Sequence, residues 1–314
     1  MIAIGIDIGG MSIKGAAIDS TGKVYETFSM PCVKGEPGEI TIRKLAEIVK
    51  DYISSYKLEN KIVGIGIGSP GTLDVKNGIV EYSNNLGWDR LPVADIMHEV
   101  LPYPIRLIND ANAAAYGEAK YGAGREYENI IMLTLGTGVG GGIIINGKLY
   151  EGNQGKAGEL GHIVINVDGE PCTCGRNGCF EAYASATALI RETKKAMLAD
   201  KKSLMWKVCP TIEMVGGRVP FEAAKQGDAS AIRVLDNYIK YLGEGILNYC
   251  NIFRPNAIVL SGGIANAGDY LFDRLRKYIE DRNYGYKLTP EVKILPAKLG
   301  YDSGKIGAAA LFFE

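Results

Sequence analysis

Long apolar runs are missing from this 314-residue chain. None approaches the roughly 20 residues that a membrane-spanning helix needs, so no membrane partner is expected. The start, MIAIGIDIGG, has no basic flank, long apolar stretch or cleavage site. No secretory leader is therefore expected, and the cytoplasm is the expected location. A surplus of either charge is missing too: 35 Lys and Arg face 36 Asp and Glu, for a formal net charge of −1. Without a basic excess, nucleic acid is not an expected partner. Histidine is scarce, with only His98 and His162, so any site that needs an imidazole has two candidates.

Glycine is what the chain has in excess. There are 41, where average usage would give roughly 22. They gather at a few strand ends, where backbone bends sharply or comes close to a ligand. The opening reads as a meander of strands over residues 2–6, 13–18 and 24–28. Ile42, Leu45, Ala46, Ile48 and Val49 then give helical spacing over 40–56. IVGIGIGSPG reads as a buried strand, and PIRLIND as another that runs into the helix of ANAAAYGEAKYG. The opening pattern returns in IIMLTLGTGVGGGIIINGKLY, down to its closing Gly-Lys-aliphatic-Tyr. This predicts a duplicated hairpin unit heading two α/β domains, over residues 1–117 and 118–301, with a C-terminal helix near 302–314 packing back on the first. A long helix over 231–250 and a buried strand AIVLSGG precede that ending.

LGTGVGGG contains G-x-G-x-x-G at Gly136, Gly138 and Gly141, a dinucleotide fingerprint only when a helix follows at once. Here IIING follows, β-branched and closed by an Asn-Gly turn, which predicts a strand. The Rossmann reading is rejected, and no G-x-x-x-x-G-K-[ST] loop exists to support a P-loop. What remains is a hairpin whose N–H groups form an anion-binding bend. Two such hairpins could clamp a polyphosphate. Asp7, at the first bend, would hold a hydrated magnesium ion beside phosphates or else cap its own turn. Lys14, on the strand that follows, could reach phosphate oxygens or remain solvated.

Half of the six cysteines lie in PCTCGRNGCFEAY. Cys172, Cys174 and Cys179 form C-x-C-x4-C, and clustered thiols in a reducing compartment bind metal more often than they pair. Tetrahedral zinc needs four ligands, and His162 in GELGHIVI lies nearer than His98. The set His162, Cys172, Cys174 and Cys179 predicts a closed, structural zinc site, with redox thiols or unmetallated thiols as alternatives. Such a knot would fix Glu159 and Glu181, which flank it. Asn109-Asp110 stands where a strand turns into a helix, a usual ligand position in α/β folds, although Asp110 could instead be the helix N-cap. EYSNNLGWD offers Asn84 and Asn85 in an irregular segment, and GSPGTLD presents backbone near Ser69 and Gly71. With Glu159, His162 and Glu181 these make a vocabulary of amides and carboxylates suited to sugar hydroxyls.

DIGG, NDANAAA, LGTGVGGG, GELGH and CTCGRNGCFE, in this order, resemble the ROK family of sugar kinases and sugar-responsive repressors, within the actin-like ATPase superfamily. The resemblance covers essentially the whole chain. It implies two actin-like (ribonuclease H-like) α/β domains with a cleft between them, a structural zinc loop and a homodimer. It implies Asp110 as general base, with Asn84, Asn109, Glu159, His162 and Glu181 on the sugar. The segments around Gly9, Gly10, Met11, Ser12 and Lys14, and around Gly136, Thr137 and Gly138, would hold ATP phosphates with Mg2+. Gly262 and Gly263 would lie against the nucleoside. Members usually carry threonine where this chain has Met11, which removes a hydroxyl and predicts weaker nucleotide binding. The expected activity is ATP-dependent phosphorylation of a hexose, glucose at its 6-hydroxyl. Mannose, N-acetylmannosamine, fructose, allose and β-glucosides are alternatives within the family. The first hairpin begins at Ile2, which leaves no room for a helix-turn-helix and makes a repressor the lesser expectation.

Overall fold

Alternating and β-branched segments build the first sheet of the computed structural model, which describes residues 1–280, 282–285 and 288–313. β1 (Ile2–Ile8), β2 (Ser12–Asp19) and β3 (Val24–Pro31) form the expected antiparallel meander. After α1 (Gly38–Ser55), β4 (Ile62–Ser69) joins β1 in parallel. A small antiparallel sheet follows: β5 (Thr72–Asp74), β6 (Ile79–Ser83) and β7 (Trp88–Leu91). Next come α2 (Val93–His98), β8 (Ile105–Asn109), parallel to β4, and α3 (Asp110–Tyr121). The second hairpin unit is β9 (Ile130–Leu135), β10 (Val139–Ile145) and β11 (Lys148–Leu149). Helices α4 (Glu181–Ala184), α5 (Ala186–Ala199), α6 (Met205–Val208), α7 (Arg218–Lys225) and α8 (Ala229–Phe253) lead to β12 (Ala257–Ser261). The chain closes with α9 (Asp269–Glu280), β13 (Lys293–Pro296) and α10 (Ser303–Ala310).

The duplication read from the sequence reappears in topology. The two large sheets have the orders β3-β2-β1-β4-β8 and β11-β10-β9-β12-β13, the same order counted from each hairpin unit. The fold is α/β. No helix among the described residues is long and apolar enough to cross a membrane.

The chain divides into two units: Met1–Glu128 with Gly142–Gly158 and Lys298–Glu314, and Asn129–Gly141 with Glu159–Ala297. This corrects the expected boundary after residue 117, which would cut α3 through its continuous hydrogen bonds. Residues 142–158 return to the first unit because Gly142 lies against α3; a β-carbon on it would come 2.5 Å from that of Ala115. The C-terminal helix also packs in the first unit, although the last residue of its expected span, 314, lies outside the described residues.

In the first unit one face of the sheet carries the larger core, where Ile4, Ile6, Ile65 and Ile67 meet Ile42, Leu45 and Val49 of α1. Glycine shapes the opposite face. A β-carbon on Gly5 or Gly66 would come 1.9 Å from the carbonyl oxygen of Lys305 or Ala308, so α10 lies directly on β1 and β4. Gly307 and Gly117 make the α3–α10 crossing equally close. In the second unit α8 is capped by Asp228, which accepts the Ala231 N–H at 2.7 Å. Its apolar side supports the cysteine loop: Phe180 packs edge-on to Tyr249 at 6.0 Å, and the Tyr249 hydroxyl donates to the Leu160 carbonyl.

Candidate active site

Close packing of α10 positions the first cluster. Asp7 and Lys14 are ladder partners, so their side chains leave one face of the β1–β2 hairpin. Lys14 is exposed, with its Nζ 5.7 Å from the Tyr301 ring centroid. Burial pushes the Asp7 carboxyl up to about 6, the nearby Asp110 carboxylate adds to this, and Lys14 and Lys305 oppose it. Two carboxylates brought together in this way are what a divalent cation relieves. In the bend, the Gly9 N–H donates to the Ser12 carbonyl at 3.0 Å. A β-carbon on Gly10 would meet nothing within 4 Å, so the fold itself does not demand glycine there. Met11 is 88% exposed.

Asp110 begins α3, but the cap is Asn109. The Asn109 Oδ1 accepts the N–H groups of Ala111 and Asn112 at 3.0 and 3.2 Å. Asp110 Oδ1 accepts the Ala111 N–H at 2.8 Å. The capping alternative for Asp110 is thus taken by its neighbour, whose Nδ2 points to the Gly71 carbonyl at 3.4 Å. Ser69 is the ladder partner of Asn109 and fully buried, and Gly71 follows with φ +106°. Asn84 and Asn85 do not lie in an irregular segment: they are exposed in the turn of the β6–β7 hairpin, closed by the Gly87 N–H on the Ser83 carbonyl at 2.8 Å. Strands this short carry too little alternation to be read in advance. The first unit therefore brings together Asp7 and Asp110, and separately Ser69, Gly71 and Asn109.

The second unit holds the other hairpin. No helix follows Gly141; β10 continues as a strand, which bears out the rejection of a dinucleotide loop. The Ala186 N–H donates to the Gly136 carbonyl at 2.8 Å and the Thr187 hydroxyl to the Thr137 carbonyl at 2.8 Å, fixing the bend to the start of α5. A β-carbon on Gly136 or Gly263 would meet nothing within 4 Å. Gly262, at φ +92°, lies so near the hairpin root that its β-carbon would come 2.4 Å from the Leu135 carbonyl oxygen.

The structure also gathers the expected metal set. One donor atom from each of His162, Cys172, Cys174 and Cys179 lies within 4.8 Å of all the others. Cys172 Sγ is 3.6 Å from His162 Nδ1, and Cys174 Sγ 3.6 Å from Cys179 Sγ. Ligands about 2.0–2.3 Å from a tetrahedral zinc ion would be spaced in this way. Burial, then the Cys174 and Cys172 sulfurs, push the Cys179 thiol up to about 12, whereas the Arg176 N–H holds Cys174 below its ordinary value. Three thiolates cannot share that volume without a cation, so the residues fit zinc. Glu159 is exposed, and its carbonyl accepts the His162 N–H at 3.1 Å. Glu181 Oε2 accepts the Val139 N–H at 2.9 Å, and Oε1 lies 3.3 Å from Thr173 Oγ1. The second unit thus joins the glycine bend, Glu181 and the metal set.

Residues missed in the sequence include Gly304, which lies against Asp7, and Glu118, a fully buried carboxylate that accepts three backbone N–H groups. Ser83 Oγ, just before Asn84, is buried without a partner among the described residues. A cavity of about 700 Å³ lies elsewhere in the second unit, between α5 and α8. Its Arg191 and Lys195 are paired with Glu170 and Glu192, and its Arg233 donates to the Ser230 hydroxyl at 2.8 Å.

The sequence profile of the ROK family matches residues 3–314, and the chain belongs to that family. It is 36% identical to a glucokinase of Halalkalibacterium halodurans over 314 residues, 98% of this chain and 94% of that protein. A xylose repressor of Bacillus spizizenii is 31% identical over 99% of this chain and 77% of its own length. Among solved structures, a ROK family glucokinase of Streptomyces griseus, in complex with glucose and AMPPNP, matches with a TM-score of 0.81 and 33% identity, covering 99% of both chains.

Proposed function

We propose that this chain transfers the γ-phosphoryl group of ATP to the 6-hydroxyl of glucose. It is an ATP-dependent sugar kinase. The observation that carries the reading is the pairing of Asp7 with Asp110 beside an open glycine bend. One carboxylate suits a cation on phosphate, the other a hydroxyl proton.

Asp110 accepts the proton as the sugar oxygen attacks phosphorus, a role worth roughly 10²- to 10⁴-fold. Asn109 holds the start of α3 with its carbonyl, and its amide, which has a second N–H beyond the one on the Gly71 carbonyl, serves a hydroxyl. Asn84, Asn85, Glu159 and Glu181 take further hydroxyls, with the backbone near Ser69 and Gly71. His162 turns Nδ1 to the thiolates, which leaves Nε2 for the sugar. Zinc on His162, Cys172, Cys174 and Cys179 would supply rigidity and no chemistry. Gly9, Gly10, Ser12, Lys14, Gly136, Thr137 and Gly138 meet phosphates, and Gly262 and Gly263 the nucleoside. Asp7 would hold a hydrated magnesium ion, which neutralises phosphate charge. The remaining acceleration comes from alignment and backbone N–H groups facing the transferring charge. Met11 keeps its backbone N–H but brings no side-chain hydroxyl to the bend, and Met11→Thr is expected to tighten ATP binding. A reducing cytoplasm, which supplies ATP and keeps thiols free, is the matching location. The family resemblance adds a homodimer, which size-exclusion chromatography tests.

The deciding experiment is a coupled assay with ATP, magnesium and a sugar panel, for the parent and for Asp110→Asn. Glucose is expected to give the highest kcat/KM, and the variant to lose at least a hundredfold in kcat while still binding sugar. Sugar binding without ATP turnover would sink the kinase reading; a better sugar would sink only the glucose assignment.

A further inference from the structure

The Gly136 N–H of the bend at residues 136–138 donates to the Gly138 carbonyl at 3.0 Å, and the anion beside the bend is the chain's own Glu181. Its Oε2 accepts the Val139 N–H at 2.9 Å and stands 2.3 Å from where a β-carbon on Gly138 would sit. Its Oε1 lies 3.3 Å from Thr173 Oγ1 and 3.7 Å from Cys172 Sγ. One carboxylate therefore spans the phosphate bend and the cysteine loop. Carboxylate and phosphate oxygens compete for the same backbone donors. Nothing larger than glycine at position 138 could stay with the carboxylate in this place.

We propose that Glu181 couples the two substrates: without sugar its carboxylate holds the Val139 N–H and fills the space against Gly138, and a sugar hydroxyl that draws it away opens the bend to a nucleotide phosphate. This rests on the sugar-kinase reading above and extends it to the order of binding. Sugar enters first, and ATP is poorly held while only water could accept the phosphoryl group. The movement needed is a side-chain rotation. Linkage makes the effect mutual, so the nucleotide must tighten sugar binding by the same factor.

The test is calorimetric titration of the zinc-loaded full chain with a non-hydrolysable ATP analogue and magnesium, with and without saturating glucose. Glucose is expected to tighten the analogue about tenfold, within the usual span of coupling between two sites. Glu181→Gln removes the competing charge at nearly constant shape. Its sugar-free affinity is expected to rise toward the parent's glucose-bound value, and the coupling factor to fall toward one. An unchanged factor in the variant, or no glucose effect in the parent, overturns the proposal. Hydrogen exchange at the Val139 amide of the parent adds a measurement that needs no variant, so a Glu181→Gln protein that lost zinc would leave the test standing. Protection should change on adding glucose alone; constant protection overturns the proposal. If the parent binds neither ligand, the sugar-kinase reading fails and this inference falls with it.

Discussion

The carboxyl carbon of Asp7 lies 3.0 Å from the position a β-carbon would take on Gly304, with both carboxylate oxygens at 3.2 Å. Gly304 is helical, and alanine is the better helix former by about 1 kcal/mol, so α10 alone does not ask for glycine. Asp7 does, because an added methyl would displace its carboxylate by a few tenths of an ångström. Gly304→Ala should therefore keep a melting temperature within a few degrees of the parent and raise the KM for magnesium-ATP several-fold. An unchanged KM would mean that the nucleotide does not depend on where Asp7 sits.

The raised Asp7 pKa carries its own sign. An acid held near 6, against an ordinary 3.8, binds its proton more tightly in the folded chain than in the unfolded one. Folding stability from this group is therefore lost as pH rises from about 4 through about 6, by at most about 3 kcal/mol. Asn cannot ionise. Without nucleotide, Asp7→Asn should be more stable than the parent at pH 7.5, with the gap closing near pH 4, while phosphoryl transfer collapses. Urea unfolding at the two pH values measures this. A variant no more stable at pH 7.5 would contradict the burial argument.

Glu118 is a purely structural carboxylate. It is fully buried and accepts the N–H of Ala123 at 2.7 Å, of Lys298 at 2.9 Å and of Leu299 at 2.7 Å. Charge-assisted bonds of this kind are the strong ones, and their loss leaves three donors unpaired in the interior. Glu118→Ala is expected to cost on the order of 3–5 kcal/mol, and Glu118→Gln about half of that, since one acceptor oxygen remains. A loss under about 1 kcal/mol for the alanine variant would show that water replaces the carboxylate.

These residues mark the limit of what the sequence discloses. The hairpins β1–β3 and β9–β11 were legible because strand pattern and glycine bends agree, with a Thr-Gly turn in the first and an Asn-Gly turn in the second. The metal set was legible because the chain holds only two histidines. Asn109 and Asp110 were ambiguous because both residue types cap helices equally well, and local sequence does not fix a helix start to one position. Glu118 and Gly304 left no local trace. The first bonds backbone 180 positions away, and the second meets Asp7 from the opposite end of the chain. Strands β5–β7 and helices α4–α7 went unread: the strands are too short to show a period, and the segment from 181 to 225 has no single dominant one.

Metal removal tests the cysteine loop against the rest of its unit. Phe180, Tyr249 and the apolar side of α8 hold the base of the loop without any metal, so a chelator should leave most secondary structure intact. The metal-binding segment of the loop lies at the surface: Cys174 and Thr173 are exposed, Gly175 and Gly178 take positive φ, and its order rests on local backbone bonds such as the Cys172 N–H on the Arg176 carbonyl at 2.8 Å. Chelation should therefore expose three thiols, Cys172, Cys174 and Cys179, to a thiol-reactive dye, and lower kcat/KM for glucose at least tenfold through the freed His162 and Glu181. Added zinc should restore both. Elemental analysis that finds no zinc in freshly purified active protein, or chelated protein that keeps its activity with no newly reactive thiol, would remove the metal from the argument and return the cluster to ordinary thiols.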